Sequence, residues 1–408
     1  MASMSCNLFV ENSEEDSWAV LASYISSLLE QQCEGAGATF TAEIEQRLVS
    51  GRLPELATHL AQHTLLASHN GDATAVLAVL CSIATKAAPE EGPAIAEALL
   101  NVFTHPFTPT DRPDVRLQGI AKVFNMVPDH RLRFKCTMAL SDMAKTYPNL
   151  ADTVRVMVED KADKWVKEWS LAPADAATLH FAVADLYEAT SRASTERRLQ
   201  AVCRGLEASA AATPPRQPTA RDVERIVSVA KAFLSDPSHF KCDLLAIPGV
   251  EAAARGNAVL DLLDAVLRGD VAAVTKAAAG PVAAECGGAE ALVAKTRLMA
   301  LLDVAERARG KAVKYSEVAA AAGVPEGEVE AFVVAAVGKG VVDAKLDQVA
   351  GTVVVGRWTK RVFAHSDWEL IAQSLTEWGK NLRNAAGLID EAMAAQLPQP
   401  LASAPARQ

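Results

Sequence analysis

Along most of this chain apolar residues recur at three- and four-residue spacing. From about Glu43 to Ala210 they do so in moderate stretches separated by Gly, Pro or Asn. Val76, Leu80, Ile83 and Ala87 mark one apolar face. Leu132, Cys136, Ala139, Leu140 and Met143 mark a second, ended by Tyr147-Pro148-Asn149, and Leu199, Val202, Cys203 and Leu206 mark a third. That spacing places the apolar side chains along one side of a helix, and Pro and Gly punctuate the helices. No fixed period links the stretches, so the pattern predicts an irregular helical-repeat (TPR/HEAT-like) solenoid, each helical hairpin burying its apolar face on its neighbours. Helices resume at Arg221–Leu234, Val259–Leu267 and Ala289–Ala308. Between them Ala210–Ala220 (AAATPPRQPTA) lacks a periodic face and reads as a loop, either a domain linker or a surface loop between helices.

The pattern changes between Lys314 and Trp358. Glu317–Ala322 makes a short helix with Ser316 as its expected N-cap and Gly323 as its C-terminal stop. Pro325 suits the first turn of the next helix, where Glu326 and Glu328 favour the positive helix end. Val329, Phe332, Val333, Ala336 and Val337 follow on one face, with Phe332 expected in the core, and Gly338 and Gly340 stop the helix. Val342, Ala344 and Leu346 then alternate with Asp343, Lys345 and Asp347, and Val353, Val355 and Trp358 supply a return strand around Gly351. Helix, turn, helix and hairpin together outline a winged helix.

Beyond the wing, Trp368, Ile371, Leu375, Trp378, Leu382, Ala385 and Ile389 step alternately by three and four. This is a heptad seam, narrower than the stripe of an ordinary core-facing helix, and Ser366 or Asp367 can cap its start. Its first turns are expected to fold back on the winged helix and its far half to enter a bundle with other chains. The tail Leu397–Gln408 is rich in Pro and Ala without periodicity and reads as disordered.

Tyr-Ser-Glu-Val (315–318), Glu328–Val337 (EVEAFVVAAV), Lys345–Gln348 (KLDQ) and Val353–Val355 resemble the winged-helix end of PCI domains, found in the proteasome lid, the COP9 signalosome and eukaryotic translation initiation factor 3. Glu328–Val337, Lys345–Gln348 and Trp378–Leu382 (WGKNL) are most similar to the m-subunit family of that initiation factor. The resemblance implies N-terminal helical repeats over 1–177 and a PCI domain over 178–362, helical to 308 and a winged helix from 309. A bundle helix over 363–396 and a disordered tail over 397–408 complete the division. It also implies a non-catalytic scaffold subunit in the cytoplasm, partnered by other PCI and associated subunits and, through the complex, by the small ribosomal subunit, with a role in mRNA recruitment. The alternatives are a PCI scaffold of the signalosome or proteasome lid and a stand-alone nucleic-acid-binding winged helix. Val341, Leu346, Val353 and Val355 on the hairpin and Leu375, Trp378, Leu382 and Ile389 in the seam are the candidate subunit-interface positions.

Composition narrows the functional classes. A formal net charge of −10 argues against a general nucleic-acid coat, and three carboxylates (Glu326, Glu328, Glu330) at the start of the second winged-helix helix would face phosphates there. The opposite edge, with Lys339, Lys345, Arg357, Lys360 and Arg361, is basic and is the candidate for contact with RNA or a partner. Cys6, Cys33, Cys81, Cys136, Cys203, Cys242 and Cys286 include no C-x-x-C pair, which points to reduced thiols buried as small hydrophobes. No basic and apolar leader opens the chain, and charged residues interrupt every apolar run before membrane-spanning length.

Candidate chemistry is sparse. His59 and His63 share a helix face near His69, but no Glu base accompanies them as in H-E-x-x-H, so a packed or solvated face is favoured over a metal site. Glu159, Asp160, Asp163 and Glu168 alternate with Lys161, Lys164 and Lys167 around Trp165 and Trp169, the signature of a salt-bridged helix face and not of paired catalytic carboxylates. Nucleophile-elbow, Walker A and dinucleotide motifs are absent, and Glu34–Ala38 (EGAGA) and Gly338–Gly340 (GKG) read as turns. No cofactor, metal or small-molecule substrate is expected.

Overall fold

A computed structural model describes residues 17–63, 73–87, 91–106, 112–190, 194–251, 255–361 and 366–396. Cys6, His69 and the tail from Leu397 lie outside the described residues. The chain forms two compact units, one built from residues up to Asp236 plus Ile247–Ala254, the other from Pro237–Ala246 plus Arg255 onwards.

The first unit is an array of helices: α1 (Ser17–Gln32), α2 (Ala36–Val49), α3 (Leu53–Gln62), α4 (Ala73–Lys86), α5 (Gly92–Thr104), α6 (Pro113–Met126), α7 (His130–Thr146), α8 (Pro148–Val158), α9 (Ala162–Glu168), α10 (Pro173–Ala189), α11 (Thr195–Ala210) and α12 (Ala220–Ser235). Proline in the first turn opens α3, α5, α6, α8 and α10, where its missing N–H would have had no partner anyway. Asp129 caps α7 by accepting from the Arg131 amide at 3.0 Å, and Thr219 and Asp222 form a reciprocal capping box on α12. The expected faces are buried at Val76, Leu80, Leu132, Cys136, Leu140, Met143, Leu199, Val202, Cys203 and Leu206. Ala139 is half-buried, as is Ala87, just past the end of α4. Helices α10 to α12 lie in this first unit, because α10 packs its broad apolar surface on α7, α8 and α11. The Pro-rich loop of residues 211–219 therefore joins two helices of one unit.

The second unit contains α13 (Ala258–Arg268), α14 (Val271–Ala277), α15 (Pro281–Glu285), α16 (Ala289–Ala308), β1 (Ala312–Lys314), α17 (Tyr315–Ala322), α18 (Val329–Gly338), β2 (Val342–Asp347), β3 (Thr352–Trp358) and α19 (Ser366–Gln396). Helix α16 is its centre, packed against α13, α14, α15, α17 and β3. Gly269 ends α13 with φ of 73°, and a Cβ there would sit 2.8 Å from the Ala300 Cα, so only glycine allows both the turn and the approach to α16.

The winged helix is present with three differences from the expected outline. The antiparallel sheet has three strands in the order β1-β3-β2, with Val313 opposite Val353 and Leu346 also opposite Val353. Strand β1 is too short for alternation to reveal it. Helix α17 starts at Tyr315 after the extended Lys314, which makes no side-chain cap, so Ser316 lies inside the helix. The buried face of α18 is Val329, Val333 and Ala336, while Phe332 is only half-buried and Val337 is exposed. A single 3-10 turn, Glu326–Glu328, precedes α18.

Candidate interaction surface

The wing carries both a closed face and an open edge. Val341, Val342, Val353 and Val355 are buried together with Val313 and Val329 in the winged-helix core. Val341, Val353 and Val355 thus face their own domain, and a partner would not reach their side chains. Leu346 is partly exposed, and Val349 at the wing tip is fully so. Strand β3 is bonded on both sides, by β1 and by β2, which leaves the outer backbone edge of β2 without a strand neighbour among the described residues.

Helix α19 is solvated along nearly all of its length. Its seam residues Trp378 and Leu382 are 67% and 71% exposed, and Ile371, Leu375 and Ile389 lie open beside them. In the first turn of α19, where the fold-back was expected, Asp367 is buried and Trp368 is exposed at 60%. Charges make that attachment. Lys360 Nζ lies 2.5 Å from Asp367 Oδ1 and 3.0 Å from Glu306 Oε1. Arg361 donates through Nη1 to the Leu267 carbonyl at 2.8 Å and through Nη2 to Asp303 at 2.7 Å, while its own carbonyl accepts from the Cys242 amide at 3.0 Å. Burial works against the Lys360 ammonium, but its bonds to Asp367 and Glu306 outweigh that and hold its pKa above the usual lysine range.

Two of the expected basic contacts therefore point inward. Lys360 and Arg361 tie the segment after β3 to α13 and α16, while Lys339, Lys345 and Arg357 stay exposed, Arg357 facing Asp343 at 3.3 Å across the hairpin. Of the three carboxylates at the start of α18, Glu326 and Glu328 are exposed and Glu330 is half-buried, accepting from the Tyr315 hydroxyl at 3.2 Å. A basic run went unremarked in the sequence: Arg307 in the last turn of α16, then Arg309, Lys311 and Lys314 between α16 and α17, all exposed. Four cations within the stretch ERARGKAVK were the available signal.

The other candidate clusters pack as structure. His59 and His63 meet edge to face at 5.0 Å and both contact the Phe40 ring, with His59 Nε2 3.1 Å from Glu43. Trp165 and Trp169 stack at 4.9 Å and lean on Phe124 of α6 and His130 of α7. Asp163 pairs with Arg204, and Lys164 with Glu168 at 3.3 Å. Cys81, Cys136, Cys203, Cys242 and Cys286 are buried and Cys33 is exposed; burial pushes the Cys81 thiol to about 11 and the Cys136 thiol to about 12. Among the described residues no three His, Cys, Asp or Glu side chains are grouped to hold a metal, and no helix is long and apolar enough to cross a membrane.

Residues 279–357, from α15 to the end of β3, match the family model described as the PCI domain. Over more of its length the chain is similar to proteins named eukaryotic translation initiation factor 3 subunit M. It is 26% identical to that of Neosartorya fischeri, over 87% of this chain and 72% of the relative. The figures for Aspergillus terreus are 26%, 79% and 68%. For Coccidioides immitis they are 22%, 95% and 89%. The resemblance expected from the winged-helix motifs is borne out, and it extends over the helical array as well as the wing.

Proposed function

We propose that this chain is a non-catalytic scaffold subunit of eukaryotic translation initiation factor 3 that acts in the cytoplasm by joining sister PCI subunits, and through the assembly supports binding of the small ribosomal subunit and recruitment of mRNA. The observation that carries this reading is α19, whose 31 residues present an uncovered heptad seam while an ion network holds its first turn to the winged helix. A seam of this regularity is buried when other helices pack against it. The open edge of β2 offers a second contact, by extension of the sheet into a neighbouring subunit. Similarity to proteins named subunit M supports the choice of assembly.

Leu382→Asp tests it. Leu382 is 71% exposed, so the isolated variant should melt as the natural chain does, whereas in an assembled bundle the carboxylate would be buried without a partner. The expected result is a folded protein lost from the complex on affinity purification. Normal co-purification with all partners would sink the proposal, and loss of folding of the isolated chain would mean that α19 folds back on its own domain.

A further inference from the structure

A groove of about 560 Å³ opens where α16, β1 and α17 meet, away from both the β2 edge and the α19 seam. Its floor is small and apolar: Val304, Ala308, Ala312, Val313, Ala320 and Ala321. Arg307, Lys311 and Glu317 supply its charged lining. The cations continue past the groove to Arg309 and Lys314. Arg307 pairs with Asp303 at 2.9 Å, and Arg307 and Arg309 sit where a helix C-terminus ordinarily gathers positive charge. Lys311 and Lys314 lie beyond that last turn, exposed and without an ion pair among the described residues, in a chain whose net charge is −10. Helix polarity does not explain them. The backbone is also suitably turned. The Tyr315 amide donates to the Gly351 carbonyl, so by antiparallel alternation the N–H and C=O of Ala312 face away from β3.

We propose that this groove docks a short, extended acidic segment of a partner protein, with an aliphatic side chain on the alanine floor and flanking carboxylates against Lys311, Lys314 and Arg309. The small floor residues leave room for a leucine-sized side chain. The lining holds no aromatic ring on which a base could stack, so the site favours an acidic peptide over RNA. Strand addition along β1 would supply main-chain bonds, and the cations would supply the sign preference. The inference stands apart from the choice of assembly, because it uses neither α19 nor the wing edge.

Fluorescence anisotropy with the full chain tests it. The probes are a labelled peptide in which one leucine is flanked by aspartates, the same peptide with lysines for the aspartates, and a short oligouridine RNA. The aspartate peptide should bind and the other two should not. Lys311→Glu with Lys314→Glu, and separately Ala320→Trp, should each weaken it by about tenfold or more while the thermal melt is unchanged. Ala320 is exposed, so its enlargement fills the groove without crowding the core. Equal binding of the lysine peptide, tighter binding of the RNA, or indifference to both sets of substitutions would overturn the proposal.

Discussion

Helices α16 and α19 are the two longest of the second unit, and they use their apolar residues in opposite ways. Leu292, Leu298, Met299, Leu301, Leu302 and Val304 project from α16 on several sides and are all buried, because α13, α14, α15, α17 and β3 surround it. On α19 the large apolar residues concentrate along one seam, and solvent covers them. A helix buried by its own chain needs no single stripe; a helix that meets a few partner helices needs a narrow one. The arrangement of apolar residues around the axis thus separates a helix that completes its own domain from one prepared for another chain.

The strongest way to break the comparison is to truncate the buried helix. Leu301 is fully buried, and Leu301→Ala should destabilise the isolated protein by about 2–5 kcal/mol, through lost transfer energy and the cavity left behind, as read by denaturant unfolding. A change below 1 kcal/mol would mean that α16 is not the centre of its unit. A smaller effect is expected at the joint between the two helices. Arg361 is 12% exposed and bonds to the Leu267 carbonyl, Asp303 and Glu306. Arg361→Ala should cost about 1.5–3 kcal/mol, the usual range for hydrogen bonds to charged groups, and should speed amide exchange in the first turn of α19. Unchanged exchange there would show that Lys360 and Asp367 hold the helix without it.

The same contrast explains what could be read from the sequence. Periodicity located α19 and its seam, and it located the faces of α7 and α11, because each of those helices buries or presents one stripe. It was less exact on α18, where only part of the expected stripe is buried. Phe332 follows Val329 at a plausible helical step, yet the inward face runs through Val329, Val333 and Ala336 and Phe332 lies at its margin, half-buried. Strand β1 escaped notice because three residues cannot display alternation and its pairing with β3 is a tertiary contact. Arg361 and Lys360 read as surface cations because their partners, Leu267, Asp303 and Glu306, come from distant helices and local charge counting is blind to them. Val341, Val353 and Val355, candidate interface positions on the hairpin, are buried in their own domain, because alternation separates the two faces of a hairpin but does not say which one the domain covers.

The smallest expected effect sharpens the comparison most. Leu382→Ala removes the same atoms as Leu301→Ala, from a helix of the same unit, so only the surroundings differ. At 71% exposure Leu382 has little contact to lose, and the isolated chain should unfold within about 0.5 kcal/mol of the natural protein. Alanine also has the higher helix propensity, which favours α19 slightly and opposes any residual loss. A cost approaching that of Leu301→Ala would mean that the isolated chain covers the seam in solution, either by folding α19 back or by pairing two copies. Unfolding at several protein concentrations separates these, because a self-paired seam makes the midpoint rise with concentration and a folded-back one does not. If the cost stays near zero at every concentration, the seam is free until another chain meets it, and whatever Leu382 contributes to stability appears only in that assembly.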